Sequence, residues 1–264
     1  GSDDSEDQTS INYKYKKKVY EKIPCALVTN SYMMNIANRA GMFRDAVKIK
    51  NVYSIDKTVF KPFDVLRSRL FFHIPSEMKY VIFARYCSPS DNPRKGLDIL
   101  KKAIISFCNR ISKDELSSIC IVFAGMNCSE IESFLPIRVF NLRRLSINEL
   151  IMAYSAASVF LSPSVDDAGP SMVNQSIMCG TPVVCFDIGT AIDVIKHKEN
   201  GYKASLGDVD DFVHGMLHFY NMSNFEYLKI RKQTRDIAVE LQSLEKYVSN
   251  IELAYEKILE RRGG

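Results

Sequence analysis

The sequence predicts an α/β protein built on a doubly wound, Rossmann-like parallel sheet, and three features point to it. From Met78 onward, short apolar runs alternate with longer segments of helical period. The stretch Ser158–Asp187, SVFLSPSVDDAGPSMVNQSIMCGTPVVCFD, reads as an apolar strand, a loop, a helix of about 10 residues and a second apolar strand, which makes a βαβ unit. Turn residues fall between the runs. Pro170 suits the first helical position, where its missing N–H costs nothing, Gly180 ends the helix, and Thr181-Pro182 starts the next strand.

In chain order, Gly1-Ser2 looks like a tag scar and Asp3–Ser10 like an acidic, disordered leader, which sets residues 1–18 apart. Lys14–Lys18 is a short basic run with two readings, a contact with anionic lipid or a solvated helix face. Ile23–Thr29 makes a strand, Ser31 caps a helix over Tyr32–Ala40, and Val47–Val52 makes a second strand. The main series opens with strand Lys79–Ala84, the polar loop Arg85–Arg94 and a helix from Lys95 to about Ile111. Strand Ile119–Ala124 ends at Gly125 and is followed by a short helix near Ser129–Phe134. Strand Arg138–Leu142 and helix Ile147–Ala156 lead into the Ser158–Asp187 unit. A short helix at Ala191–Ile195 and an edge strand at Gly201–Ala204 come next. Helices close the chain at Asp208–Tyr220, Asn224–Gln242 and Leu244–Arg261, the last with apolar residues at helical period. The expected divisions are 19–62, a main domain over 63–243, and a crossing helix over 244–264.

Composition narrows the function. A chain of 264 residues has room for one large or two modest domains with a real core. Hydrophobic content of 46% and charged content of 25% are those of an ordinary globular protein. A net charge of +4, no Trp, and aromatics not interleaved with basic runs argue against a nucleic-acid partner. No window of about 20 apolar residues exists and no signal peptide is visible. A cytoplasmic location is therefore expected, with peripheral contact at the inner face of the membrane left open by Lys14–Lys18. The seven cysteines lack CxxC spacing and sit mostly in apolar strands (Cys120, Cys185) or helices (Cys108, Cys179), as reduced core thiols do. The four histidines form no ligand spacing with acids or cysteines; His214 and His218 are four apart but read as surface residues, so no metal is expected.

The loop Ser164–Gly169 lies at the carboxyl end of one strand and the amino end of a helix. Open parallel sheets bind ligands there, and unpaired helix N–H groups favour an anion. Ser171 and the backbone N–H groups of Met172 and Val173 face a phosphate in this reading, beside Gly169. A carboxylate repels phosphate, so Asp167 is better used as an acceptor for neutral hydroxyls, with sugar hydroxyls the natural candidates. Gln175 sits eight residues further on, about two turns inside the helix.

The run PSVDDAGPSMVNQSIMCGTPVVCFDIG resembles the donor-site motif of retaining GT-B glycosyltransferases of family four, in the branch that builds bacterial surface polysaccharides. That branch reads PS, two residues, an acid, then P…E-S-x-x-C-G-T-P-V-V-x-F-D-x-G-G. The family's two glutamates fall on Asp167 and Gln175: the first change shortens a charged arm, the second removes the charge. Thr190 replaces the second glycine of the closing F-D-x-G-G. Ser54–Pro62, S-I-D-K-T-V-F-K-P, resembles the family's N-G-I-D-x-x-x-F-x-P crossover between two domains.

The resemblance implies the C-terminal, donor-binding half of a GT-B fold, with 19–62 as a remnant of an N-terminal domain whose remainder is missing. It implies transfer from a UDP- or GDP-sugar to a saccharide or lipid-linked acceptor, without a metal cofactor. Lys95 and Gly96 match the family's K-G motif, and Arg85 its arginine; Arg94 is a rival for that job. Fixed cations aimed at the leaving diphosphate stabilise the transition state more than the ground state. Gly125 leaves room for the nucleotide or is a plain turn glycine. Phe140–Arg143 occupies the place where members cradle the base, or Arg143 and Arg144 are surface charge. Gln175 would hold a ribose hydroxyl. The isolated chain is expected to bind nucleotide sugar and turn it over poorly. A rival reading is a nucleotide-binding or interaction module of this fold whose activity has decayed.

Overall fold

A computed structural model describes residues 11–86 and 92–263. The chain begins with α1 (Ile11–Tyr20), β1 (Cys25–Val28), α2 (Ser31–Arg39) and β2 (Val47–Lys50), then α3 (Val65–Phe71). The main series is β3 (Tyr80–Tyr86), α4 (Leu97–Cys108), α5 (Lys113–Leu116), β4 (Ile119–Gly125), α6 (Ser129–Glu132) and β5 (Arg138–Arg143). It continues through α7 (Ile147–Ala156), β6 (Val159–Ser162), α8 (Ser171–Met178), β7 (Val183–Phe186), α9 (Ala191–Val194) and β8 (Gly201–Ala204). The last helices are α10 (Val209–Tyr220), α11 (Asn224–Leu241) and α12 (Leu244–Gly263).

Strands β3 to β8 form one six-stranded sheet in the order β5-β4-β3-β6-β7-β8, every pair parallel. Successive strands step outward from β3 to β5, and the chain then returns to place β6 on the other side of β3. The winding reverses between β3 and β6, so the loops leaving these strands diverge and open a crevice at their carboxyl ends.

The central strands are apolar on both faces because helices cover both. Ile82 and Ala84 pack with Leu100, Ile104 and Phe107 of α4 and with Phe212 and Met216 of α10. Their neighbours Val81 and Phe83 point the other way, into Ile151 and Tyr154 of α7, Val173 and Ile177 of α8, and Ala238 of α11. Phe83 meets Tyr154 edge-on at 5.3 Å and Phe160 at 5.5 Å. Ser146 with Glu149 and Ser223 with Glu226 form capping boxes that start α7 and α11.

The amino-terminal segment forms a separate two-stranded parallel sheet, β1–β2, against which α12 packs. Asn250 donates to the Lys50 carbonyl at 3.2 Å, and Arg261 to the Pro24 carbonyl at 3.2 Å. The Ser54–Pro62 crossover is pinned by Arg235, which donates to the Phe60 carbonyl at 2.6 Å and the Lys57 carbonyl at 2.8 Å.

Local differences from the sequence reading have physical causes. Asn30, not Ser31, caps α2, its Oδ1 accepting the Met33 N–H at 2.8 Å. Pro170 is the N-cap of α8 rather than its first helical residue, with ψ near 103°. The helix expected from Lys95 starts at Leu97, because Pro93–Lys95 forms a separate 3₁₀ turn closed by Gly96. The short helices α3 and α5 add to the expected elements. Lys14 and Lys18 lie exposed on α1. The described cysteines are unpaired, and burial pushes the Cys108, Cys120, Cys179 and Cys185 thiols up to about 12. Among the described residues no helix is long and apolar enough to cross a membrane.

Candidate active site

One wall of the crevice comes from β3. Arg85, its penultimate residue, is exposed at the strand's carboxyl end. The middle of the Arg85–Arg94 loop, 87–91, lies outside the described residues. The chain re-enters at Asn92, and Gly96 then adopts a φ of 70°. A Cβ on Gly96 would overlap the Pro163 carbonyl, so only glycine permits this approach. The Val165 N–H donates to the Arg94 carbonyl at 2.9 Å and ties the two loops together. Lys95 is thereby held against the loop after β6.

The opposite wall is that loop and the mouth of α8. Asp167 uses Oδ1 to accept the Gly169 N–H at 3.1 Å, and Oδ2 to pair with the Lys95 ammonium. Gly189, with φ 55°, lies directly under it: a Cβ there would overlap the Asp167 carbonyl. The glycine of the Phe186–Gly189 run thus supports the acidic loop. From above, Nδ2 of Asn30 donates to the Ala168 carbonyl.

Between these walls is a cavity of about 150 Å³ lined by Arg85, Lys95, Asp167, Gly169, Ser171 and Met172, among others. Six residues singled out from sequence therefore share one space. Two cations and the amino end of a helix favour an anion there. Lys95 has three N–H donors, so it can keep Asp167 and hold an anion at once. Such hydrogen bonds, with one partner charged, are short and strong. Val173 differs: its side chain is buried in the core and its N–H donates to the Pro170 carbonyl at 3.0 Å. Its amide is spent inside the first turn, leaving Ser171 and Met172 as the helix-mouth residues of the cavity.

Other expected residues sit apart. Gln175 Oε1 accepts from the buried Tyr154 hydroxyl at 3.2 Å, and the side chain does not line the cavity. Gly125 has φ 127° and backs onto the Tyr86 carbonyl beside the Arg85 side chain, so it shapes the neighbouring strand end. Arg143 ends edge strand β5 with φ 56°, its N–H donating to Asn141 Oδ1 at 3.1 Å, two strands away from β3. Arg94 reaches Asp166 at 3.4 Å on the exposed side and is not among the lining residues. The Asp208-Val209-Asp210 spacing is a helix start: Asp208 accepts the Asp211 N–H at 3.0 Å and Asp210 pairs with Arg110 at 2.7 Å. Among the described residues no three His, Cys, Asp or Glu side chains gather as metal ligands would.

Sequence reasoning missed Asn30 and the supporting role of Gly189. Asn30 carried only the signal of a capping residue type.

A wider groove of about 1140 Å³ opens at the amino ends of the strands, lined by Arg69, Lys79, Tyr80, Glu115 and Tyr227, among others. It holds none of Arg85, Lys95 or Asp167. In an open parallel sheet the ligand crevice is at the carboxyl ends, so the smaller cavity is the better candidate.

Comparison with known proteins bears on the fold and the family. The sucrose-phosphate synthase of Thermosynechococcus elongatus superposes with a TM-score of 0.76 at 17% identity, covering 97% of this chain and 64% of that one. Anabaena HepE in complex with UDP-glucose gives 0.71 at 14% identity, covering 93% of this chain and 67% of that one. The C-terminal domain of LpcC, a group 1 family protein of Francisella tularensis, gives 0.59 at 18% identity, covering 72% of this chain and 99% of the domain. These likenesses establish the fold. An uncharacterized glycosyltransferase of Haemophilus influenzae is 25% identical over 89 residues, 33% of this chain and 25% of its own length. The chain thus spans less than two thirds of the synthase, and its match a quarter of the Haemophilus relative. The model of the family described as "Glycosyl transferases group 1" matches residues 79–222. That match runs from the edge of β3 past the end of α10, taking in both walls of the crevice and more than half of the sequence: the chain belongs to the group 1 glycosyl transferases.

Proposed function

We propose that the chain is the donor-binding half of a retaining GT-B glycosyltransferase of family four. It would transfer a sugar from a UDP- or GDP-sugar to a saccharide or lipid-linked acceptor in surface-polysaccharide synthesis. The observation that carries this is the convergence of Lys95, Arg85 and the mouth of α8 on one cavity with Asp167 at the strand-order reversal. As the glycosidic bond breaks, the leaving diphosphate gains negative charge, and these fixed donors stabilise that charge without reorganising. Arg85 grips two phosphate oxygens at once, whereas Lys95 acts as a point charge. Asp167 accepts from hydroxyls of the sugar. The side chains supply the positive charge, so the reading uses no metal. It puts the protein in the cytoplasm, with Lys14 and Lys18 of α1 available to the inner face of a membrane. Because HepE has a complex with UDP-glucose, that is the first donor to test.

The Gln175–Tyr154 bond favours a second reading, a decayed module that holds diphosphate but gains nothing from ribose or sugar. Calorimetry with UDP, UDP-glucose, GDP and GDP-mannose separates the two. The enzyme reading expects a sugar-dependent gain in affinity, and decay expects none. Lys95→Ala should weaken nucleoside diphosphate binding about tenfold to a hundredfold, the loss of one hydrogen bond to a charged group. Absence of binding to all four compounds would overturn both readings.

A further inference from the structure

We infer that Asn30, on the small amino-terminal unit, is a positioning residue for the sugar-facing carboxylate of Asp167; the inference rests on the donor-site reading above. Asn30 is 1% exposed and stands where the small unit meets the β6–α8 loop. Its two polar ends do different work. Oδ1 caps α2 by accepting the Met33 N–H at 2.8 Å, while Nδ2 donates to the Ala168 carbonyl, 138 positions along the chain. Ala168 lies between Asp167 and Gly169, whose N–H the Asp167 carboxylate accepts. The loop is therefore gripped on one side by Asn30 and backed on the other by Gly189.

Asn30 is itself fixed. The next residue, Ser31, donates from its N–H and its hydroxyl to Asp193 of α9, both at 2.6 Å. Lys50 at the end of β2 pairs with the same carboxylate at 2.6 Å. The end of β2 and the start of α2 are thus anchored to the large unit beside the loop that Asn30 holds. Removing the Nδ2 bond frees the Asp167–Gly169 loop to turn its carboxylate away from the sugar, while Lys95, Arg85 and the mouth of α8 keep their grip on the diphosphate.

The test uses substitutions that keep the cap. Asn30→Asp and Asn30→Ser still accept the Met33 N–H, and both residue types are good N-caps. Each loses the donor to Ala168. The probes are UDP and UDP-glucose, GDP and GDP-mannose, titrated calorimetrically into wild type and variants. Expected is a loss of about threefold to tenfold in affinity for the nucleotide sugar, the range of a single neutral hydrogen bond. Affinity for the matching nucleoside diphosphate should stay within about twofold. Asp167→Asn should remove the same sugar-dependent increment, and combining it with Asn30→Asp should add little. Hydrogen exchange at Gly169 should speed up in both Asn30 variants, while the β3 and β4 amides stay protected. A purely structural role would instead weaken nucleotide and nucleotide sugar alike and lower the melting temperature. If Asp167→Asn loses the sugar increment and the Asn30 variants keep it, the inference fails while the donor-site reading stands. If wild type shows no sugar increment, that reading fails first, and the inference fails with it.

Discussion

The two units of this molecule are held together by different forces. In the six-stranded unit Val81, Ile82, Phe83 and Ala84 are completely buried between two helical layers. The amino-terminal unit has a far smaller core, Ala37, Ala40 and Met42 with Tyr20 and Phe43 packed on it, and Leu27 of β1 is exposed. Polar contacts anchor its seam with the site, among them Asn30 to Ala168 and the Ser31–Lys50–Asp193 cluster. Apolar burial is indifferent to charge, whereas a seam of ion pairs and hydrogen bonds depends on protonation and on every partner being present. One wall of the site therefore stands on fully buried strands, while the other leans on Asn30 across a seam where polar bonds accompany the packing of Tyr32 on the large core.

The largest expected effect lies in the core of the six-stranded unit. Phe83→Ala should cost about 3–5 kcal/mol of global stability, read by denaturant unfolding, because a buried ring leaves a cavity between Tyr154 and Phe160. A loss confined to β1–β2 would contradict the account. Next in size, Asp193→Ala should cost about 1–3 kcal/mol locally by leaving the Ser31 N–H unsatisfied. Hydrogen exchange should show faster opening of β1 and β2 amides with β3 and β4 unchanged.

Acid sharpens the same contrast. Burial pushes the Asp193 carboxyl up, but the Lys50 ammonium and the Ser31 hydroxyl and N–H outweigh it and hold the group below its ordinary value of 3.8. A depressed carboxyl contributes stability that is fully present above that value and lost as the pH falls through the folded one. The β1–β2 amides should therefore lose protection in acid, and Asp193→Asn should flatten that dependence. Equal acid sensitivity in wild type and Asp193→Asn would remove Asp193 as the cause. The smallest effect is expected where charge decorates the large unit. The Arg110–Asp210 pair, 2.7 Å apart, is solvent-facing, so Asp210→Ala should change unfolding by less than about 1 kcal/mol.

Much of the large unit was legible because its signals are local. The runs Val159–Leu161 and Val183–Phe186, with Gly180 between them, carry strand, helix end and strand in adjacent residues. Lys95 was legible as a chemical candidate, yet its reach to Asp167 depends on Gly96 turning left-handed under the Pro163 carbonyl. The expected helix start at Lys95 failed for the same reason. Gln175 shows the limit from the other side: its place in the motif points to a ligand, while the fold adds a bond from the buried Tyr154 hydroxyl that no local pattern announces. The same limit hid the Asn30–Ala168 bond, since contacts between sequence-distant residues leave no periodicity. The seam between the units is made almost entirely of such contacts.

The proposed chemistry rests on a diphosphate bound where Lys95, Arg85 and the mouth of α8 meet. A crystal structure of the chain with UDP tests it most directly. The β-phosphate should lie within hydrogen-bond distance of the Lys95 ammonium and the amides of Ser171 or Met172, with Asp167 turned away from it. Phosphates bound instead in the wide groove at the amino ends of the strands, beside Arg69 and Lys79, would contradict it.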